Sequence, residues 1–207
     1  MKLVDMTVKD YLDLLKSDAP APGGGSVSAL SAAQGVGLVA MVADLTIGRE
    51  KYAEYQDVCQ SAKAGALKLY AEFVEGIDKD TEAFNKVSAA YKLPKDTDEQ
   101  KAARSAAIRE ANIGATEVPF ETVKLCLEGL KVTETMVGKS NPNAASDLGV
   151  AALNLISGIR GAWLNVKINL PGIKDEALKA EFASGEAMVD EAYVISKRIY
   201  EEVLASL

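Results

Sequence analysis

The sequence predicts an all-α fold, a bundle of about six helices that residues 1–207 form as a single domain. Three observations support this prediction. Apolar residues recur at helical spacing along most of the chain, no segment shows a convincing period-two alternation of a half-buried strand, and segments rich in proline and glycine separate the periodic stretches. A chain of 207 residues is also long enough to bury its own core.

The first predicted helix runs from about Val8 to Ser17 and follows Thr7, whose hydroxyl suits an N-cap. Its apolar residues recur on one face, as in a short amphipathic helix. The next segment, PAPGGGS at residues 20–26, contains two prolines and three consecutive glycines. Because proline and glycine interrupt helices, this segment is predicted to be a loop.

The second predicted helix, from Ser26 to about Thr46, is apolar on nearly all sides. A helix of this kind belongs at the centre of a bundle or at a subunit interface. Its length approaches that of a membrane span, but it consists largely of Ala, Gly and Ser and contains Gln34 and Asp44. We therefore expect a buried core helix.

Two long helical stretches occupy the middle of the chain. Residues 52–91 are predicted as one helix or two collinear helices, and LPKD at residues 93–96 ends them. Thr97 and Gln100 have the spacing of a capping box, so the Ala-rich stretch that follows should be helical to about residue 137. Pro119 lies inside that stretch and predicts a kink or a break just before it.

The last third of the chain contains a second clear loop at residues 137–143. A helix is predicted from about residue 146 to residue 169, where LPG at residues 170–172 ends it. Asp175 is expected to cap a final helical region that runs almost to the C-terminus.

Composition excludes several classes of function. The net charge of −7 argues against general nucleic-acid binding and requires a local positive site for any anionic ligand. The chain has no histidine, which excludes a histidine-based triad, metal site or general base. Acid–base chemistry must therefore come from carboxylates, Lys, Tyr, Cys or water.

The cysteines and the N-terminal segment indicate the cellular compartment of the protein. Cys59 and Cys126 lie far apart in sequence, form no metal-binding motif and are expected to be buried free thiols in a reducing environment. The N-terminal segment has acidic residues within its apolar pattern and no small-residue cleavage site, unlike a signal peptide. We expect a cytoplasmic protein that does not associate with membranes.

Two candidate ligand sites lie in the first half of the chain. Gly23, Gly24, Gly25 and Ser26 open an apolar helix, so backbone N–H groups could approach a ligand at a helix N-terminus; a plain interhelical turn is the alternative. Asp80 precedes Phe84 by four residues and shares its helical face. If Phe84 points inward, Asp80 also faces a cavity; otherwise it is a solvated acid on an amphipathic helix.

Two further candidates lie in the second half. Ser146 and Asp147 open an Ala- and Leu-rich helix and either bind a ligand or cap that helix. Asn165 and Asn169 stand four residues apart on one helical face. Their amides suit hydrogen bonds to a heterocycle or a partner chain, or to carbonyls at a helix end.

Taken in order, several segments resemble the cyclodeaminase/cyclohydrolase family, which includes the C-terminal domain of formiminotransferase-cyclodeaminase and stand-alone methenyltetrahydrofolate cyclohydrolases. The resemblance covers essentially the whole chain. Its specific parts are PAPGGGS and the SD…NVxIN pattern; Gly138-Lys139 departs from the Gly-Asn usual before the latter. The segments are PAPGGGSVSALSAAQGVGLVAMVADLTIGREKY, DTEAF followed by LPK, the Pro119 segment, and SDLGVAALNLISGIRGAWLNVKINL.

The resemblance implies an all-helical homodimer with a folate cleft near the subunit interface. It implies one of two enzymatic reactions: hydrolysis of 5,10-methenyltetrahydrofolate to 10-formyltetrahydrofolate, or closure of 5-formiminotetrahydrofolate with release of ammonia. Hydrolysis is preferred because no formiminotransferase domain precedes this one. A catalytically silent helical dimer that binds a folate is a further alternative.

Within that reading, Asp80 and Asp147 are the candidates for acid–base catalysis. Asp80 is favoured because it sits in a mostly apolar helix, where burial would raise its pKa. Lys51 and Lys139 would meet the glutamate tail, including a polyglutamate tail. The residues expected to position the pterin or the one-carbon group are Gly23, Gly24, Gly25, Ser26, Ser146, Asn165 and Asn169. No metal, nucleotide or flavin cofactor is required.

Overall fold

The computed structural model describes residues 2–207, and the regular structure within this range is helical. Short 3₁₀ turns accompany seven α-helices. Only Ser184 separates the last two helices, so the prediction of an all-α bundle of about six helices is confirmed. The helices are α1 (Val8–Leu15), α2 (Gly24–Asp44), α3 (Gln56–Tyr91), α4 (Asp98–Thr135), α5 (Ala145–Asn169), α6 (Glu176–Ala183) and α7 (Gly185–Ser206).

The core of the fold lies among α2, α3, α4 and α5. Helix α2 packs between α3 and α5, α4 packs against the same two helices from the other side, and α7 covers α4 and α5. The predicted burial of α2 is confirmed, since Val36, Val39 and Val42 are at most 1% exposed. Within the described range, α2 is the one helix long and apolar enough to span a membrane, and 61% of its most apolar window is buried inside the fold.

Helices α2 and α5 run antiparallel in close contact. Ser28, near the start of α2, lies beside Gly158 and Gly161 of α5, whereas Gly35, further along, lies beside Ala151. An added Cβ at Gly35 would come within 2.9 Å of the Ala151 carbonyl oxygen, so the glycine permits this approach. The start of α2 therefore lies next to the end of α5.

The predicted helix boundaries are largely confirmed. Thr7 caps α1 through its side chain, Thr97 and Gln100 form the capping box of α4, and Asp175 caps α6. The stretch after residue 52 is one helix, α3, preceded by a 3₁₀ turn. The suggestion that Ser146 or Asp147 caps α5 is wrong, because the helix begins at Ala145 and its N-cap residue is Ala144.

Of the predicted kink or break at Pro119, the break is wrong, because helix α4 continues through this residue. Proline lacks a backbone N–H, which leaves the carbonyl oxygen of Ala115 without its helical donor. The side-chain Nδ2 of Asn169 donates to that oxygen at 2.8 Å. A side chain at the end of α5 thus replaces the hydrogen bond that α4 loses.

Asn169→Ala is expected to lower the free energy of unfolding by about 1 kcal/mol, because the Ala115 carbonyl then loses its donor. In a Pro119→Ala background the new backbone N–H supplies that donor, so the same change should cost less. Urea unfolding of the wild type, the two single variants and the double variant measures this coupling. Asn165→Ala is the control, since its Nδ2 donates to Gly161, one turn earlier in its own helix. An equal cost of Asn169→Ala in both backgrounds would contradict the assignment.

Candidate functional site

The first turn of α2 meets the second half of α3 at a carboxylate. Gly23, the N-cap residue of α2, has no side chain to accept a hydrogen bond from the first-turn N–H groups. The backbone N–H of Ser26 instead donates to Oδ2 of Asp80 at 2.9 Å. A carboxylate from another helix therefore takes the place of a capping side chain. The predicted glycine segment and Asp80 lie together.

Gly25 allows this close approach. It is buried, and a Cβ built on it would overlap the carboxyl group of Asp80. Any larger residue would have to displace the carboxylate from the helix start. Gly24 is exposed and lies against Asn165, whose Nδ2 would be 3.3 Å from an added Cβ. Gly23 has open space around the position of a Cβ.

Ser26 holds Asp80 in place. Its side chain is fully buried, and its hydroxyl donates to the Ile77 carbonyl oxygen at 2.7 Å. The Oγ of Ser26 also lies 3.2 Å from the Thr81 hydroxyl and 3.3 Å from Oδ2 of Asp80. Because protein partners already use this hydroxyl, we revise the predicted ligand contact of Ser26 to a positioning role. Thr81 was not singled out from the sequence.

Asp80 has the properties of an acid–base group. Burial raises the pKa of its carboxyl group above the ordinary value, and the hydrogen bonds from the backbone and side chain of Ser26 oppose that rise. Oδ2 carries these bonds, while Oδ1 accepts none from the residues described. One oxygen therefore fixes the carboxyl group, and the other is available to a ligand or to water.

Asp80 does not reach this position by sharing a buried face with Phe84. Phe84 is 40% exposed, so the condition under which Asp80 was expected to share a cavity with it is not met. The buried neighbour is Ile77, one turn before Asp80, which packs toward α1 and α2. Asp80 lies on the same face of α3 as Ile77, and it therefore faces α2.

Tyr11 of α1 also belongs to this corner. It is 6% exposed and packs in a small apolar cluster with Leu3, Ala29 and Ile77. Its hydroxyl is the buried side-chain polar atom without a hydrogen-bond partner within residues 2–207. Sequence analysis did not identify it, because an apolar position on a short amphipathic helix suits tyrosine without any further role.

The two predicted asparagines have different surroundings. Asn165 is half-buried beside Gly24, and its Nδ2 donates to the Gly161 carbonyl at 2.9 Å. Asn165 therefore lies at the edge of the Asp80 corner. The Nδ2 of Asn169 donates to the Ala115 carbonyl of α4, as described above. This favours the alternative in which Asn169 satisfies a helix carbonyl.

The remaining predicted residues lie at the opposite end of the bundle. Lys51 and Lys139 are exposed, Ser146 is exposed, and Asp147 is half-buried in the first turn of α5. Lys51 lines a cleft of about 430 Å³ together with Gly138 and Ser140. These residues form a second group, separate from the one around Asp80.

The separation of the two groups follows from the length of α5. Residues 147 and 165 are eighteen positions apart in one helix, which at 1.5 Å per residue is about 27 Å. Since Asn165 lies at the Asp80 corner, Asp80 and Asp147 do not share a site within one chain. Within residues 2–207, no group of three carboxylate or thiol side chains is arranged to hold a metal ion.

Comparison with known proteins places this arrangement in a family. The sequence matches the formiminotransferase-cyclodeaminase family over residues 7–186. The chain belongs to the formiminotransferase-cyclodeaminase family. Methenyltetrahydrofolate cyclohydrolase of Methylorubrum extorquens is 42% identical over 198 residues, which cover 95% of each chain.

Other relatives of this family are longer. Formimidoyltransferase-cyclodeaminase of Sus scrofa is 33% identical over 179 residues, 86% of this chain but 33% of that protein. The chain thus spans about a third of the pig protein. The crystal structure of formiminotetrahydrofolate cyclodeaminase from Thermotoga maritima has a TM-score of 0.83 at 24% identity, covering 97% of this chain and 98% of that one. This likeness supports the fold.

Proposed function

We propose that this protein is a methenyltetrahydrofolate cyclohydrolase, which hydrolyses 5,10-methenyltetrahydrofolate to 10-formyltetrahydrofolate. The observation that carries the proposal is the Asp80 carboxyl group, held against the glycine-lined start of α2 with one oxygen free. The similarity to the Methylorubrum extorquens cyclohydrolase over 95% of both chains supports the choice of substrate.

The reaction needs a group that first accepts and then returns a proton. The methenyl carbon is part of a delocalised amidinium-like cation, which a nearby carboxylate stabilises. The oxygen of a water molecule bonds to this carbon, one water proton passes to Asp80, and the C=N π electrons move to nitrogen. The carbon–N5 bond then breaks, N5 takes the proton from Asp80, and the adduct hydroxyl releases its proton to give the formyl group.

The environment of Asp80 suits both steps. A carboxyl group with an ordinary pKa is a weak base toward water and is almost never protonated near neutral pH. Burial raises the pKa of Asp80, so that the carboxylate is a better base and its protonated form is more accessible. The Ser26 hydrogen bonds keep the carboxyl group in one orientation during the exchange.

A second candidate function is cyclodeamination of 5-formiminotetrahydrofolate. The matches to formimidoyltransferase-cyclodeaminases favour it, and the same carboxyl group would protonate the leaving amino group, which departs as ammonia. Purified protein should be given each substrate in turn. Loss of methenyl absorbance faster than spontaneous hydrolysis supports the cyclohydrolase. Turnover of the formimino substrate alone, with release of ammonia, supports the cyclodeaminase, and no turnover of either contradicts both.

We propose that the pterin lies along the exposed edge formed by Gly24 and Asn165, next to Asp80. Asn165 is half-buried there and offers an amide oxygen as an acceptor. Gly23 and Gly24 expose backbone at the same edge. The tetrahydrofolate is the substrate, and the reaction as written uses no metal, nucleotide or flavin. We place it in the cytoplasm, which is consistent with the buried free thiols of Cys59 and Cys126.

We propose a homodimer that forms through the outer face of α5 and the adjoining face of α2. Four large aliphatic side chains on one face of α5 are strongly exposed: Val150 (45%), Leu153 (49%), Leu164 (69%) and Ile168 (77%). Val27 and Met41 of α2 are about 40% exposed on the neighbouring helix. Exposed large apolar side chains along two neighbouring long helices are typical of an interface between identical chains.

A two-fold axis across the middle of this surface would explain the two separate groups of predicted residues. It would bring the Asp80 end of one copy beside the opposite end of the other. Asp147, Lys51 and Lys139 would then contribute to the folate site from the second copy. The two lysines would supply the local positive charge that a glutamate or polyglutamate tail requires against the net charge of −7.

Hybrid dimers test this arrangement. If each site uses Asp80 from one copy and Asp147 from the other, Asp80→Asn and Asp147→Asn homodimers should both be impaired. Their co-expressed, doubly tagged heterodimer should regain about half of the wild-type activity, because it contains one intact site of two. Activity in the heterodimer no higher than in either parent would contradict the shared site.

A substitution within the proposed dimer surface, compared with one outside it, tests the dimer. Leu164→Glu should convert the dimer to a monomer in sedimentation analysis, because it places a charge in an apolar interface. Leu67→Glu on α3 changes a residue that is 49% exposed on a different helix, and it should leave the dimer intact. A wild-type protein that sediments as a monomer would overturn the proposed dimer.

A further inference from the structure

The Tyr11 hydroxyl is an unusual feature of the Asp80 corner. The side chain is 6% exposed, and its oxygen has no hydrogen-bond partner among the residues described. Burying a hydroxyl group without a partner costs stability, and such groups are rare in folded proteins. A phenylalanine would fill the same apolar cluster without that cost. The hydroxyl therefore calls for an explanation other than packing.

The contacts of Tyr11 place its ring beside both halves of the site. It packs with Ala29, one turn after Ser26 on α2, and with Ile77, one turn before Asp80 on α3. Burial raises the pKa of Tyr11, and the negative charge of Asp80 raises it further. The two side chains nevertheless form no direct hydrogen bond. One water molecule between them would give both the Tyr11 hydroxyl and the free Oδ1 of Asp80 a hydrogen-bond partner.

We propose that the Tyr11 hydroxyl and the free Oδ1 of Asp80 together position the water molecule that adds to the one-carbon unit. This inference rests on the proposed function. The water donates one hydrogen bond to Asp80 and one to the Tyr11 oxygen, which directs a lone pair of the water toward the carbon. When the oxygen–carbon bond forms, the first proton passes to Asp80, and Tyr11 keeps its own proton. Tyr11 is therefore a positioning residue.

Tyr11→Phe isolates this role because it removes one oxygen atom and retains the ring. We expect kcat for methenyltetrahydrofolate hydrolysis to fall by about ten- to a hundred-fold, since the water loses one of its two anchors. KM should change little, because Tyr11 contacts the water rather than the pterin. Tm should change little, because no protein group loses a hydrogen bond.

Tyr52→Phe provides the comparison for stability. Tyr52 is also 6% exposed, but its hydroxyl donates to Oδ1 of Asn141 at 2.8 Å. Removing a satisfied hydroxyl should lower Tm, in contrast to Tyr11→Phe. A fall in Tm for Tyr11→Phe as large as that for Tyr52→Phe would show that the Tyr11 hydroxyl has a structural partner, and would overturn the proposal.

The outcomes separate this inference from the function on which it rests. Wild-type turnover with a reduced kcat and an unchanged KM in Tyr11→Phe supports both. If the wild type turns over and Tyr11→Phe has the same kcat, the role of Tyr11 is overturned and the cyclohydrolase proposal is unaffected. A wild-type protein without turnover of either folate overturns the proposed function, and the role of Tyr11 with it.

Discussion

Asp80→Asn is expected to lower kcat for methenyltetrahydrofolate hydrolysis by about 10²–10⁴-fold, the usual contribution of a general acid–base group. An amide cannot accept the proton of the attacking water or return it to N5. It does retain an oxygen that can accept from the Ser26 N–H, so the start of α2 should remain capped. The measurement is the initial rate of methenyl absorbance loss, corrected for spontaneous hydrolysis.

The same variant should be at least as stable as the wild type at neutral pH. Because burial raises the pKa of Asp80 in the folded state, the folded protein binds this proton more tightly than the unfolded chain does. The stabilisation from that proton is present at low pH and is lost as the pH rises through the raised pKa. The stability advantage of Asp80→Asn should therefore be largest at neutral pH and shrink on acidification.

Glu82→Gln is the matched control for both measurements. Glu82 is exposed and lies two residues further along α3, so its loss removes one negative charge without touching the corner. It should retain wild-type rates and wild-type stability. Wild-type turnover by Asp80→Asn would rule out Asp80 as the acid–base group. A loss of turnover that accompanies unfolding would instead identify Asp80 as a structural capping residue.

Gly25→Ala should reduce both activity and stability. A Cβ at this position overlaps the Asp80 carboxyl group, so either the carboxylate or the first turn of α2 must move. A shift of the reacting group by about 1 Å costs roughly a hundred-fold in rate. Overpacking of this kind lowers the free energy of unfolding by about 1–3 kcal/mol. Rates and urea unfolding curves measure the two effects.

Gly114→Ala separates the steric effect from the general effect of glycine. Gly114 lies inside α4, and a Cβ there would meet nothing within 4 Å. Alanine should stabilise that helix by about 0.5–1 kcal/mol, because glycine loses more conformational freedom on folding. If Gly25→Ala behaves like Gly114→Ala, with full activity and raised stability, the close approach between Gly25 and Asp80 is not required.

The fold was largely predictable because its signals are local. The apolar composition of α2, the capping box at Thr97 and the breaks at proline–glycine segments each act within a few residues. The continuity of α4 was not predictable from local signals. The donor that compensates for Pro119 is Asn169, fifty residues away in sequence, and only tertiary packing brings them together.

The candidate site was predicted in parts rather than as a whole. Gly25 and Asp80 were each singled out, but their contact depends on how α2 packs against α3. The position of Asp147 follows from the antiparallel packing of α2 and α5, which places it far from Asp80 in the same chain. Tyr11 was missed because its importance depends on an unpaired hydroxyl, which appears only in three dimensions.

The most direct test of the central claim is a crystal structure of this protein with a bound tetrahydrofolate derivative. Our proposal predicts that the one-carbon position lies within hydrogen-bonding reach of Oδ1 of Asp80, directly or through one water molecule, with the pterin along Gly24 and Asn165. A folate bound elsewhere, for example in the groove between α3 and α4 that Lys79 and Glu117 line, with Asp80 still held by Ser26 alone, would contradict it.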